Sequence, residues 1–147
     1  MAAISRKAAL AIEAVLYVAL NAVDRTVRSG DITRRQNVPQ RYLEPVLQGL
    51  VRQGVLIGVR GPRGGYKLAR ERRRITLGEI VRIVADVEGI AEPPPSSDLQ
   101  QKVISPALAE ADRALMATLD SITIDDLHQR ARQAGVGLES TSIDFTI

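Results

Sequence analysis

No cysteine occurs anywhere in this chain. That excludes disulfides, thiolate zinc sites, cysteine-held iron–sulfur clusters and thiol redox sensing within it. Aromatic residues are scarce too: three tyrosines, one phenylalanine and no tryptophan. With 45% hydrophobic residues, an ordinary share, the core must be aliphatic, which points to packed helices. There is a single histidine, His128. One imidazole near Asp125 on an amphipathic helix reads as solvent-facing rather than as a metal ligand. With no second histidine and no glycine elbow, no nucleophile–base–acid set can be assembled. Neither enzymatic activity nor a cofactor is expected. No run reaches the ~20 apolar residues of a membrane span. The most apolar stretch, residues 8–23, contains Glu13 and Asn21 and keeps a helical period. No Ala-x-Ala cleavage pattern follows it, so it reads as a core helix and the protein as cytoplasmic, without a membrane partner.

At 147 residues the chain makes one domain, or one with an extension, and can bury roughly two thirds of its unfolded surface. The net charge of +3 conceals an asymmetry. Residues 1–74 hold 15 Lys and Arg against 5 acids, a balance of +10, and residues 75–147 carry −7. A basic half joined to an acidic half suggests that the first meets a polyanion; the alternative is a solvated charged surface without a partner.

What is present is organised around residues 38–70, VPQRYLEPVLQGLVRQGVLIGVRGPRGGYKLAR. Pro39 suits a first helical turn, where its missing N–H is no loss. Tyr42, Leu43, Val46, Leu47 and Leu50 recur at steps of three and four, an apolar helical stripe. Pro45 falls early enough that only the first turn need adjust. Gly54 supplies the left-handed residue that ends the helix. Two extended runs, 56–60 and 66–68, then flank Gly61-Pro62-Arg63-Gly64-Gly65, a hairpin loop that permits positive φ and carries Arg63 at its tip. A helix followed at once by a basic hairpin outlines a winged helix-turn-helix, and implies duplex DNA as partner.

The remaining elements fit that outline. Ser5 can cap a helix running to about Val23, apolar on more than one face and so buried on two sides. Residues 25–29 read as a connection. A short helix over 31–36 puts Ile32 inward and Arg34 and Arg35 outward, and Asn37-Val38 is the turn of a helix-turn-helix. At the next helix N-terminus, Gln40, Arg41 and Glu44 can reach base edges: Arg41 suits guanine, Gln40 adenine and Glu44 cytosine. For Glu44 an intrahelical ion pair is an equal alternative. The basic run 70–74 either touches phosphate or stays solvated. Thr76 with Glu79 reads as a capping box for a helix over 77–87. Residues 92–97, EPPPSS, mark an exposed linker, and 97–104 can hold a turn of helix. Ser105-Pro106 reads as a cap and first helical position, followed by Leu108, Ala111, Leu115, Leu119 and Ile122 in helical period. Such a helix needs cover, from a second subunit or from its own domain. A short helix over 124–133 and a weakly ordered tail beyond Gly135 complete the chain.

The stretch Tyr42-Leu43-Glu44, Gly54-Val55-Leu56 and Arg60-Gly61-Pro62-x-Gly64-Gly65-Tyr66, followed by Ile75-Thr76-Leu77-Gly78-Glu79-Ile80, resembles the Rrf2 family of bacterial transcription regulators. The resemblance runs from about Ser5 to Asp126. It implies a homodimeric winged-helix regulator, expected to be a repressor, on a pseudo-palindromic operator. The recognition helix would lie in the major groove and the arginine before the wing glycine in the minor groove. Those roles fall on Pro39, Gln40, Arg41, Tyr42 and Glu44, and on Arg60, with Arg34, Arg35, Arg63 and Lys67 beside them. Many family members hold an iron–sulfur cluster through three cysteines before the dimerisation helix. The matching segment here, about 88–105, has none, so cluster-based sensing is not carried over. The effector, a small molecule or a partner protein, stays open.

The expected fold is therefore mainly α with a small β-hairpin wing. A winged helix-turn-helix over 1–87 is joined by a linker at 88–104 to a dimerisation helix region at 105–134 and a tail at 135–147. The alternative function is a winged-helix module that binds protein and no specific DNA.

Overall fold

The structure, a computed structural model, describes residues 4–89 and 92–137. Its elements are α1 (Arg6–Asn21), α2 (Ser29–Gln36), α3 (Gln40–Arg52), β1 (Leu56–Val59), β2 (Gly65–Leu68), α4 (Leu77–Glu88), α5 (Ser105–Asp120) and α6 (Ile124–Ala134). This is a winged helix: a helical core with one antiparallel hairpin, Leu56 opposite Leu68 and Val59 opposite Gly65. No helix among the described residues is long and apolar enough to cross a membrane.

The helix α1 is the centre of the core. Ser5 Oγ caps it by accepting from the Ala8 N–H at 3.0 Å. Ala8, Ala11, Ala14, Val15 and Val18 are buried, and their small size lets α2, α3, α4, α6 and β2 all reach it. It ends at Asn21, two residues before the expected Val23, which is 77% exposed. The Asn21 side-chain amide donates to the Tyr17 carbonyl one turn earlier at 3.0 Å. The next helix, α2, starts at Ser29 rather than Asp31 and stops at Asn37, which is left-handed at φ 56°.

Leu43, Val46, Leu47 and Leu50 of α3 are fully buried. Pro39 stands just outside this helix in extended conformation, not in its first turn as expected. Pro45 sits inside the helix without ending it; it is exposed, so the carbonyl it leaves unbonded can face water. At the far end Val55 N–H reaches Leu50 O at 2.9 Å and Gly54 N–H reaches Val51 O at 3.1 Å, with Gly54 at φ 76°. This is the Schellman stop that the glycine predicts.

The expected connection at 25–29 does more than connect. Val27 exchanges two backbone hydrogen bonds with Tyr66, at 2.7 and 3.0 Å, and adds a third, one-residue strand to the hairpin. The basic run after the wing is neither solvated nor poised for phosphate throughout. Arg70 forks onto the Glu79 carboxylate and bonds Gly54 O at 3.0 Å. Arg72 donates to Asp125 at 2.6 Å. Because Glu79 is held by Arg70, only half of the expected capping box forms at α4: Thr76 Oγ1 accepts from Glu79 N at 3.2 Å.

A second correction concerns α5. The helix does not begin at a Ser105 cap. Ser97 Oγ accepts from Gln100 N at 3.1 Å, and a wide π-type turn over Gln100–Ile104 runs straight into α5. Pro106 has no N–H to give the regular ladder, and the widened turn lies just before it. The late part of α5 packs inward, with Met116 8% and Leu119 6% exposed. Gly78 makes this possible: a Cβ there would overlap Asp120, which Arg82 grips through bonds of 2.7 and 2.8 Å. The start is uncovered, with Leu99, Val103, Ile104 and Leu108 all exposed.

The last helix, α6, is opened by a reciprocal capping box between Thr123 and Asp126 and packs on α1. Leu77 N–H to Ile122 O at 2.9 Å and Ile124 N–H to Ile75 O at 2.8 Å sew its start to the start of α4. Most of the tail expected beyond Gly135 falls outside the described residues. His128 is buried, not solvent-facing as its sequence context suggests, and its Nδ1 has no hydrogen-bond partner among the described residues. Burial, then the Arg72 and Arg132 charges, lower its pKa below the usual 6.5 against the opposing pull of Asp125.

The folded chain therefore favours neutral His128. Its contribution to stability is complete above the unfolded value near 6.5 and is lost as the pH falls below it. Wild-type melting temperature should drop between about pH 7.5 and pH 5, and His128→Gln should flatten that drop. Parallel pH profiles for the two proteins would show that the ring titrates freely.

Candidate nucleic-acid interface

Burial of one side of α3 fixes what the other side offers. With Leu43, Val46, Leu47 and Leu50 inward, the exposed face carries Gln40, Arg41, Glu44, Gln48 and Arg52 at helical spacing. The hairpin stands beside it. Between them and α2 lies an open groove of about 1190 Å³, lined by Arg28, Arg34, Gln40, Gln48, Arg52, Val59, Arg60 and Tyr66 among others.

The hairpin is held to the α1–α2 connection along consecutive backbone groups. Thr26 Oγ1 donates toward the carbonyls of Arg63, at 2.7 Å, and Gly64, at 3.0 Å. Val27 pairs with Tyr66, and the Arg28 guanidinium bonds Pro62 O. Gly65, at φ 149°, leaves no room for a side chain: a Cβ would lie 2.6 Å from Val27 O. The close approach that sets the wing angle therefore depends on glycine.

The residues singled out from the sequence separate into groups. Arg34, Gln40 and Arg60 line the groove together. Arg34 is paired with Asp31 one turn earlier, and Gln40 Nε2 donates to Ser29 Oγ at 2.7 Å. Arg41 and Glu44 are exposed on α3, Pro39 at its entry, and Arg63 and Lys67 on the wing. Glu44 makes no ion pair among the described residues; burial, and then the Glu44 charge, raise the pKa of Tyr66. Two of the expected residues turn elsewhere. Arg35 lies over the Tyr17 ring at 5.1 Å, on the α1 side. Tyr42 is half-buried beneath Lys7, whose Nζ is 4.4 Å from the ring centroid and 4.0 Å from Glu88. Sequence reasoning missed Arg28, Gln48 and Arg52. Extending the exposed helical stripe from Arg41 through Gln48 to Arg52 would have found two of them; Arg28 needs the fold.

Comparison with known proteins agrees with the architecture. The Rrf2 family model, described as an iron-dependent transcriptional regulator, matches residues 4–130. BadM of Rhodopseudomonas palustris, which bears the name "Putative HTH-type transcriptional regulator", is 35% identical over 115 residues, covering 78% of this chain and 73% of its own. IscR of Escherichia coli, also an HTH-type transcriptional regulator, is 37% identical over 81 residues, 55% of this chain and half of IscR. Among solved structures, IscR of T. potens superposes with TM-score 0.72 at 29% identity, over 91% of each chain. The chain contains no cysteine, and among the described residues no group of three or more His, Cys, Asp or Glu is placed to hold a metal ion.

Thr26→Val keeps size but removes the hydroxyl that bridges to the wing. It should cost about 1 kcal/mol of stability and speed amide exchange in the 61–65 loop while leaving α1 and α4 unchanged. Unaltered exchange in that loop would mean that Val27 and Arg28 hold the wing unaided.

Proposed function

The chain belongs to the Rrf2 family of transcriptional regulators, and on that footing we propose that it is a sequence-specific DNA-binding repressor, a cytoplasmic homodimer on a pseudo-palindromic operator. The observation that carries this reading is the pairing of an exposed polar face on α3 with a basic wing, across a groove lined by arginines. Such a pair matches adjacent grooves of B-DNA. Pro39, Gln40, Arg41 and Glu44 enter the major groove. Arg60 enters the minor groove, favoured where A·T-rich sequence narrows it, and Arg34, Arg63 and Lys67 meet backbone. Repression is the simpler outcome, because occupancy of a promoter needs no contact with polymerase. With no thiolate available, the protein works without an iron–sulfur cluster.

In this reading residues 1–87 form the DNA-binding unit, 88–104 the connection and 105–134 the dimerisation region, with α6 folded onto α1. The uncovered Leu99, Val103, Ile104 and Leu108 at the start of the long helix support the dimer. Their exposure leaves an apolar stripe that a second copy would bury, and a two-fold protein fits a two-fold site.

Affinity for duplex recovered by selection from random sequence should fall with salt at a log–log slope of about −5 to −9, as expected for roughly six to ten phosphate contacts. A flat response would remove the DNA-binding reading. Arg60→Ala should relax discrimination at the minor-groove positions by ~1–3 kcal/mol. Leu108→Glu should yield monomers in sedimentation and weaken operator binding; a dimer that persists would place the contact elsewhere.

A further inference from the structure

We infer that Arg28 is a DNA-contacting residue, holding the phosphodiester strand that crosses the groove between the recognition helix and the wing. The inference rests on the DNA-binding reading above and deepens it. If α3 occupies a major groove and the wing the adjacent minor groove, the sugar–phosphate strand dividing those grooves must pass over the surface between them. That surface is the groove that Arg28, Arg34, Arg52 and Arg60 line. Asp31, the acid in the groove, is already covered by Arg34.

Arg28 is the best placed of the four. It sits where the α1–α2 connection, α2 and the wing meet. One arm of its guanidinium is committed to Pro62 O in the wing loop. A guanidinium has five N–H donors in a planar fork, so an arm held on a carbonyl leaves others for a phosphate. This holding also removes much of the rotamer freedom that an exposed arginine would lose on binding. Its position is poor for stability alone. Arg28 occupies the residue before α2, where helices favour Ser, Asp or Asn, and its side chain makes no capping bond. The bond to Pro62 O uses one arm of the fork and gives this exposed position a role in holding the wing; the remaining donors are the part that stability does not use.

The test uses the full chain and the duplex that wild type recovers from a random-sequence pool. Binding is measured across a salt series for wild type, Arg28→Ala and Arg28→Lys, with circular dichroism confirming that each is folded. One phosphate contact contributes about 0.9 to the slope. Arg28→Ala should therefore be shallower by about 0.9 per subunit, about 1.8 for a dimer on two half-sites. Arg28→Lys, which keeps the charge but cannot fork onto carbonyl and phosphate together, should keep the slope and lose affinity. Neutral methylphosphonate placed at single positions should weaken wild type at one phosphate per half-site, between the two grooves, and leave Arg28→Ala indifferent there. Arg28→Ala should also lower the slope in an Arg60→Ala background. An effect that vanishes in that background would mean that Arg28 acts only through the wing, and would overturn the inference, as would an unchanged slope. A flat response from wild type would instead overturn the DNA-binding reading, and this inference with it.

Discussion

The direction in which α3 faces is decided by four aliphatic side chains that have no exposed surface at all. Burying a leucine or valine is worth about 1.5–3 kcal/mol, so rotating the helix to expose this stripe would cost most of the stability of a domain this size. The polar face is outward as a consequence, and whatever it reads is presented on a rigid body. The same core sets the wing. The hairpin reaches α1 through its inward face, and its outer register follows from Val27 and Tyr66. The outward face of α3 and the wing are thus two outputs of one packing solution around α1.

The charge asymmetry of the chain has two sources. Part of the basic excess is answered internally by the acidic half: Arg70 by Glu79 and Arg72 by Asp125. Asp125 is held below the usual carboxylate range, first by the Arg72 hydrogen bond and then by that of Gln129. Partly exposed pairs of this kind are worth little one at a time. They leave Arg28, Arg52 and Arg60 at the groove and Arg63 on the wing outside these pairs. Net charge by segment therefore overstates the basic surface offered to a polyanion, and position gives the better measure.

What could be read from the sequence was what is local. Ser5, Thr76, Gly54 and the Gly-Pro-x-Gly-Gly loop act on residues within a few positions, and each marks an element end that the structure has. The differences come from contacts far apart in the chain. Nothing near Val27 announces a strand, because its partner is Tyr66, 39 positions away. Arg28 does not look like a helix start, because its side chain serves the wing. His128 looked exposed because its helix is polar in sequence, yet α6 lies against α1 and the Arg72–Arg74 turn. Ser105-Pro106 resembles a helix start, but the π-type turn lets an earlier cap take over. On the groove, Arg34, Gln40 and Arg60 were legible from motif and spacing; Arg35 and Tyr42 were drawn away by an aromatic ring and a lysine respectively.

The bare α-carbon at Gly78 reaches further than its size suggests. It lets the end of α5 sit against the first turn of α4, with Asp120 in the space a methyl group would take. The root of a long rod is thereby fixed, and any tilt at the root is magnified along the roughly 24 Å that a helix of 16 residues spans. If two copies join along that rod, its pitch determines how far apart their two reading faces stand, and so the number of base pairs separating the halves of the operator. A single hydrogen atom, far from any nucleotide, would then act as the ruler.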